Sequence, residues 1–184
     1  MTGAGMGGWV RVAGLGPGDD RLVTPEVTAA LAEATDVVGY IPYVARVAPC
    51  AGLTLHASDN RVELDRAALA LRLAAEGRRV VIVSSGDPGV FAMAAALFEA
   101  WEAAGAPATE IAILPGITAM LAAAARAGAP LGHDFCAINL SDNLKPWDLV
   151  ERRLRLAAEA DFAMAFYNPR SSRRPNQFSR ALDV

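Results

Sequence analysis

Gly86-Asp87-Pro88-Gly89 follows directly on the apolar run Val80–Ser84. A carboxylate between glycines at a strand's end has two chemical uses. It can accept main-chain N–H bonds and start a helix, with Pro88 at the first helical position. It can also hold a ligand that carries positive charge or hydroxyls, because Gly86 and Gly89 keep side-chain bulk away from the backbone. Open α/β sheets bind their ligands at the carboxyl ends of strands. Both uses are expected of Asp87. Two more turns have the same placement. The loop Gly14–Asp20 (GLGPGDD) follows the strand-like Trp9–Gly14, and Pro115–Ala119 (PGITA) follows Glu110–Leu114. Thr118 is a cap or a ligand contact. Three glycine turns on one edge of one sheet imply a cleft there.

The opening loop is not a nicotinamide fingerprint. Asp19 occupies the place of the third glycine, and Asp20 follows it. Two carboxylates would repel a pyrophosphate at that helix entrance. The second strand ends in Tyr40, where a ribose-binding acid would stand. His56 and His133 are isolated and match no metal spacing or Ser-His-Asp pattern. Cys50 and Cys136, the only two cysteines, make neither a zinc pattern nor a disulfide framework, and are expected to be reduced core thiols in a cytoplasmic protein. The net charge of −3 gives no field favouring nucleic acid. No apolar run reaches the ~18 residues of a membrane span. The start, MTGAGMGGWV, lacks the charged and apolar regions of a secretory signal; its glycines, Gly3 and Gly5 among them, are expected to form a loose tail.

Stepwise along the chain, strands are expected at Trp9–Gly14, Asp36–Tyr40, Val80–Ser84 and Glu110–Leu114. A helix starts at Thr24-Pro25-Glu26 and runs to about Ala34; another covers Arg61–Glu76 and stops at Gly77. Val90, Ala94, Leu97, Phe98 and Trp101 recur at helical spacing, and an alanine-rich helix follows PGITA to Arg126. This alternation predicts an α/β fold with a mostly parallel sheet over 9–127. Gly128–Gly132 reads as a joint. A second α/β domain, 131–184, then begins with strand Phe135–Leu140, helix Pro146–Glu159 and strand Phe162–Tyr167. Two strands are few for an independent sheet. In this part Asp142, Lys145 and Asn168 are solvated loop residues or site residues. Arg170, Arg173, Arg174 and Arg180 are a solvated surface or a grip for carboxylates.

Taken together, VAGLGPGDDRLVTPEV, GDPGVFAMA, PGITA and YNPR resemble the signatures of the tetrapyrrole (corrin/porphyrin) methylases. VVGYIPYV, GAPLGHDFCAINLSDNLKPW and YNPRSSRR resemble the branch acting on carbon 17 of precorrin-3B. The resemblance implies two α/β domains, the second incomplete relative to the family, usually in a homodimer. It implies S-adenosyl-L-methionine held in the cleft between the domains, and a small-molecule tetrapyrrole substrate. The reaction implied is methylation of carbon 17 with ring contraction, in cobalamin biosynthesis. Donor contacts carried over by motif are Pro17, Gly86, Asp87, Val90, Thr118, Ala119, Tyr167 and Asn168. Substrate contacts are Gly16 and Gly18 of the opening loop, with Arg170 and Arg173. Asp19, Asp142 and Lys145 are candidates for an acid or base. Some relatives carry an acid after the tyrosine of the second strand; Ile41 stands there, so that role does not transfer. Methylation of another corrin carbon, an inactive donor-binding relative and a nicotinamide oxidoreductase are the alternatives.

Overall fold

Five parallel strands form the first sheet, in the order β3-β2-β4-β1-β5. They are β1 (Trp9–Gly14), β2 (Asp36–Tyr40), β3 (Thr54–Ser58), β4 (Arg79–Ser84) and β5 (Glu110–Leu114). The helices between them are α1 (Pro25–Glu33), α2 (Ile41–Val44), α3 (Glu63–Ala75) and α4 (Met93–Ala103). The computed structural model describes residues 7–60, 62–143 and 145–184. The expected tail glycines Gly3 and Gly5, and the expected helix start at Arg61, lie outside them.

The sheet is covered on both faces, so its middle strand β4 runs apolar without a break from Val80 to Val83. Val27 and Ala30 of α1 pack with Ala13, Val37, Val81 and Val83 on one face. Ala67, Ala70 and Leu71 of α3 and Leu97 of α4 pack with Val10, Val12, Val38, Val80 and Ile82 on the other. Thr24 caps α1 by accepting from Val27 N–H at 3.3 Å, with Pro25 behind it. Gly77, at φ +82°, follows the end of α3 as expected.

The chain divides into two compact units, one through Ala119 and one from Met120, ahead of the Gly128–Gly132 stretch. α5 (Ala119–Arg126) begins at this boundary. The second unit holds β6 (Phe135–Asn139), α6 (Trp147–Glu159), β7 (Ala163–Tyr167) and α7 (Gln177–Leu182). β6 and β7 pair in parallel, Asn139 opposite Tyr167. Val150, Leu154 and Ala157 turn one stripe of α6 onto Ile138 and Leu140, and Ala181 of α7 joins them. Among the described residues, no helix is long and apolar enough to cross a membrane.

One buried charge belongs to the fold alone. Asp36, fully buried at the start of β2, accepts hydrogen bonds from Arg78 Nη2 (2.8 Å), Thr35 Oγ1 (2.8 Å) and His56 Nε2 (2.8 Å), with Arg78 Nε also in reach. Burial pushes its carboxyl up, but the bonds from Arg78, His56 and Thr35 outweigh this and hold it below the ordinary range. The unfolded carboxyl, ionising near pH ~4, therefore protonates before the folded one, so this contribution is full above that pH and lost as pH falls through the lower folded value. Asp36→Asn should lower stability by about 2 kcal/mol at neutral pH. It should also flatten the acid limb of a stability-against-pH curve from urea melts.

Candidate functional site

β1 and β4 are neighbours in the sheet, yet the helices that follow them, α1 and α4, pack on opposite faces. The carboxyl ends of these two strands thus flank a topological switch point, where open sheets place ligands. The turns after both strands meet there. Gly16 N–H donates to Gly86 O at 3.2 Å and Gly86 N–H to Gly16 O at 2.9 Å. Leu15 N–H donates to Ser84 O at 2.8 Å and carries the ladder up to this bridge. Gly16 and Gly86 have φ of +67° and +61°, which their lack of Cβ permits.

The turn after β5 closes the group. A Cβ on Gly116 would lie 2.2 Å from Gly86 O and 2.8 Å from Gly14 O; one on Gly14 would lie 2.8 Å from Gly116 Cα. The glycines of the three turns were expected to leave the backbone open to a ligand. At Gly14 and Gly116 that space is instead filled by the main chain of the neighbouring turn. The open positions are others: Gly18, at φ +135°, has nothing within 4 Å of its missing Cβ.

Asp87 differs from expectation in the same direction. It does not cap α4, which begins only at Met93 with Ala92 ahead of it. Its Oδ1 accepts from Gly89 N–H at 2.8 Å and its Oδ2 from Gly116 N–H at 3.0 Å. The carboxylate therefore fastens the turn after β4 to the turn after β5. Pro88 is buried in this turn rather than leading a helix, and its carbonyl accepts from Ala94 N–H at 2.9 Å. Val90 is half-buried; Thr118 is buried and Ala119 exposed, at the start of α5. Two of the roughly four lone-pair positions of a carboxylate are used by these bonds, which leaves acceptor capacity for a ligand.

In the opening loop, Pro17 is half-buried and Gly18 exposed. Asp19 caps the short 3-10 turn Asp20–Leu22 through Arg21 N–H (3.0 Å) and grips the exposed Arg21 guanidinium (2.7 Å). A residue missed in the sequence holds the loop from below. Arg46, just after α2, donates through Nη2 to Leu15 O at 2.7 Å and reaches Asp20 Oδ1 at 3.3 Å. No local pattern marks this arginine, because its partners lie 31 and 26 residues away.

The polar residues of the second unit bind each other. Asp142 Oδ2 accepts from Gln177 Nε2 at 2.9 Å and Oδ1 from Arg174 at 3.4 Å, while Arg174 also bonds Ser141 Oγ. Arg180 lies over the Trp147 ring at 4.1 Å. The expected four-arginine cluster is thus divided: Arg174 turns onto Asp142, Arg180 onto Trp147, and Arg170 and Arg173 are exposed. Lys145 donates to Ser141 O at 3.1 Å. Burial, helped by Arg153 and opposed by Asp142, pushes its ammonium below the usual range. Asn168, at φ +49°, donates to Asn139 Oδ1 at 3.2 Å, and Tyr167 Oη accepts from Met120 N–H at 3.2 Å.

A precorrin-3B C(17)-methyltransferase from Sinorhizobium sp is 55% identical over 181 residues, 97% of this chain and 71% of that protein. The crystal structure of the methyltransferase CobJ superposes with a TM-score of 0.93 at 78% identity, covering 96% of this chain and 74% of that one. A uroporphyrin-III C-methyltransferase from Thermus thermophilus, solved in complex with S-adenyl homocysteine, matches at a TM-score of 0.57 and 28% identity, over 71% of this chain and 58% of that one. The family model for tetrapyrrole (corrin/porphyrin) methylases matches residues 10–183, and the chain belongs to that family.

Proposed function

We propose that this protein transfers a methyl group from S-adenosylmethionine to carbon 17 of precorrin-3B or its cobalt-containing counterpart, with ring contraction, in cobalamin biosynthesis. The observation that carries this reading is 55% identity across nearly the whole chain to an enzyme of that name. The rim described above suits the donor chemically. It offers main-chain groups, a carboxylate with spare acceptor capacity at Asp87, and no cationic side chain on the three turns themselves.

S-adenosylmethionine, when bound, supplies a methyl group already activated on a sulfonium, so little acid chemistry is asked of the protein. The chain's own task is alignment. Asp87 fixes the spacing between the turns after β4 and β5, and the Gly16–Gly86 bridge fixes the turn after β1 against them. A rim built from main chain varies little in position, which in-line transfer rewards. Pro17, Gly86, Asp87, Val90, Thr118 and Ala119 are proposed to contact the donor, and Gly16 and Gly18 to contact the substrate. The exposed Arg170 and Arg173 are proposed to receive carboxylate arms of the substrate, which guanidinium groups bind in fork geometry.

The test is a melting scan with S-adenosylhomocysteine, followed by turnover with labelled donor. At a hundred times Kd the ligand should stabilise the fold by about 2.7 kcal/mol, a rise of roughly 5–10 °C for a chain of this size. Label should appear on carbon 17. No rise in Tm, or label on another carbon, would refute the proposal.

A further inference from the structure

The opening loop holds two adjacent carboxylates in unequal grips. Asp19 is fastened by its neighbour. Arg21 Nε reaches both of its oxygens, at 3.1 and 3.2 Å, and Arg21 Nη2 donates to Oδ2 at 2.7 Å. Oδ1 also accepts from Arg21 N–H at 3.0 Å. The Asp20 side chain, among the described residues, meets a single group: Arg46 Nη2 lies 3.3 Å from its Oδ1. That side chain is 87% exposed, against 21% for Arg46. An ion pair so open to water adds little stability and separates readily.

Arg46 is held while Asp20 is loose. Its Nη2 donates to Leu15 O at 2.7 Å, and its Nη1 lies 3.4 Å from Gly16 O. Arg46 follows α2, beyond the carboxyl end of β2, whereas Leu15 and Gly16 follow β1. β4 stands between these two strands in the sheet. The guanidinium thus ties together the connections after two strands that are not neighbours. Gly16 is bridged in turn to Gly86, so the guanidinium rests on the rim itself. Its contacts with Leu15, Gly16 and Asp20 use three of the five N–H groups of an arginine. Asp20 is its one ion-pair partner among the described residues. A fixed cation therefore stands beside the opening loop, covered by a carboxylate that leaves easily.

We propose that Arg46 is a substrate contact: a carboxylate arm of the tetrapyrrole displaces Asp20 and takes its place on the guanidinium. The proposal rests on the methyltransferase reading above, in which Gly16 and Gly18 contact the substrate. A guanidinium already anchored by main-chain carbonyls offers its donors with little left to order. Asp20 keeps the cation paired until the substrate arrives, and so competes with it. Such a competitor lowers apparent affinity by the fraction of molecules in which the site is open. Because the exposed pair is weak, that effect is a few-fold.

A brace and a competitor predict opposite signs. If the pair only braced the loop, Asp20→Ala would weaken substrate binding; if Asp20 competes, its removal strengthens it. Asp20→Ala, Arg46→Gln, the double variant and Glu26→Gln are titrated with S-adenosylhomocysteine and, anaerobically, with precorrin-3B, and their melting is followed. Glu26→Gln is the charge control, since it removes an exposed carboxylate at the start of α1. Asp20→Ala should bind precorrin-3B about threefold more tightly, with Tm and S-adenosylhomocysteine affinity unchanged. Arg46→Gln should bind precorrin-3B at least tenfold more weakly, and adding Asp20→Ala to it should bring no gain. Glu26→Gln should match the wild type. Weaker or unchanged precorrin-3B binding by Asp20→Ala would overturn the proposal. An equal gain in Glu26→Gln, or on the Arg46→Gln background, would trace the effect to net charge and overturn it too. Should Arg46→Gln fail to fold, Asp20→Ala against Glu26→Gln still decides. If the wild-type chain binds S-adenosylhomocysteine but no precorrin-3B, the substrate reading fails and this proposal with it; a failure at Arg46 alone leaves wild-type binding intact.

Discussion

Gly116→Ala should lower stability by about 3 kcal/mol or more and abolish donor binding. The new methyl group would sit 2.2 Å from Gly86 O and 2.8 Å from Gly14 O, both main-chain atoms. Flexible side chains yield to such a contact; these carbonyls cannot do so cheaply. Gly86 is tied to Gly16 by two main-chain bonds, and Gly116 is tied to Asp87. Moving the turn after β5 away breaks the second tie, and moving the turn after β4 strains the first. Gly116 has no positive φ, so the effect is steric and separate from backbone preference. Gly7→Ala is the control, with nothing within 4 Å of its added Cβ, and should change stability by less than about 0.5 kcal/mol. Urea melts of both variants decide the matter. A loss under about 1 kcal/mol for Gly116→Ala would mean the rim gives way easily, and rigid alignment by main chain would lose its basis.

The same packing explains what was legible in the sequence. β1, β2, β4 and β5 were readable because buried or largely covered strands need apolar residues at nearly every position. β3 was not. Thr54–Ser58 lies at the sheet's edge, buries none of its residues fully, and carries His56, which serves Asp36. α2 is four residues long and contains Pro42, too short to show a period. α7 follows a basic loop and buries only Gln177 and Ala181. The three glycine turns were readable as turns at strand ends, because few other residues fit there. What each glycine excludes was not readable, since Gly14, Gly86 and Gly116 meet only in the folded sheet. Asp-Pro between glycines is a strong helix start in local terms. It lost to a partner 29 residues away, Gly116, and to the left-handed Phe91, which no helix start accommodates. Arg46 and Arg78 carry no local signal, because their partners lie 26 to 42 residues away in the chain. The fold follows from short-range pattern; the fine structure of the rim depends on contacts that pattern does not encode.

Asp87→Asn should be nearly as harmful as Asp87→Ala, although it is nearly isosteric. The two carboxylate oxygens face two different N–H donors, Gly89 at 2.8 Å and Gly116 at 3.0 Å. A carboxylate accepts at both oxygens. An amide has one acceptor oxygen and one NH2 group, so in either orientation one main-chain N–H meets a donor. A charge-assisted bond is lost and a repulsive contact replaces it. Each variant should lose about 2 kcal/mol of stability, and affinity for S-adenosylhomocysteine should fall by more than about tenfold. Calorimetry on the folded protein, well below each variant's Tm, separates the two effects. Asp87→Glu keeps the charge but lengthens the arm, and should recover stability in part without full donor affinity. If Asp87→Asn matched the wild type in both measurements, the carboxylate would be neither the fastener between turns nor a donor contact. If it lost stability yet bound the donor normally, only the first role would stand. The geometry favours the loss of both, because the atoms that join the two turns are those with acceptor capacity left for a ligand.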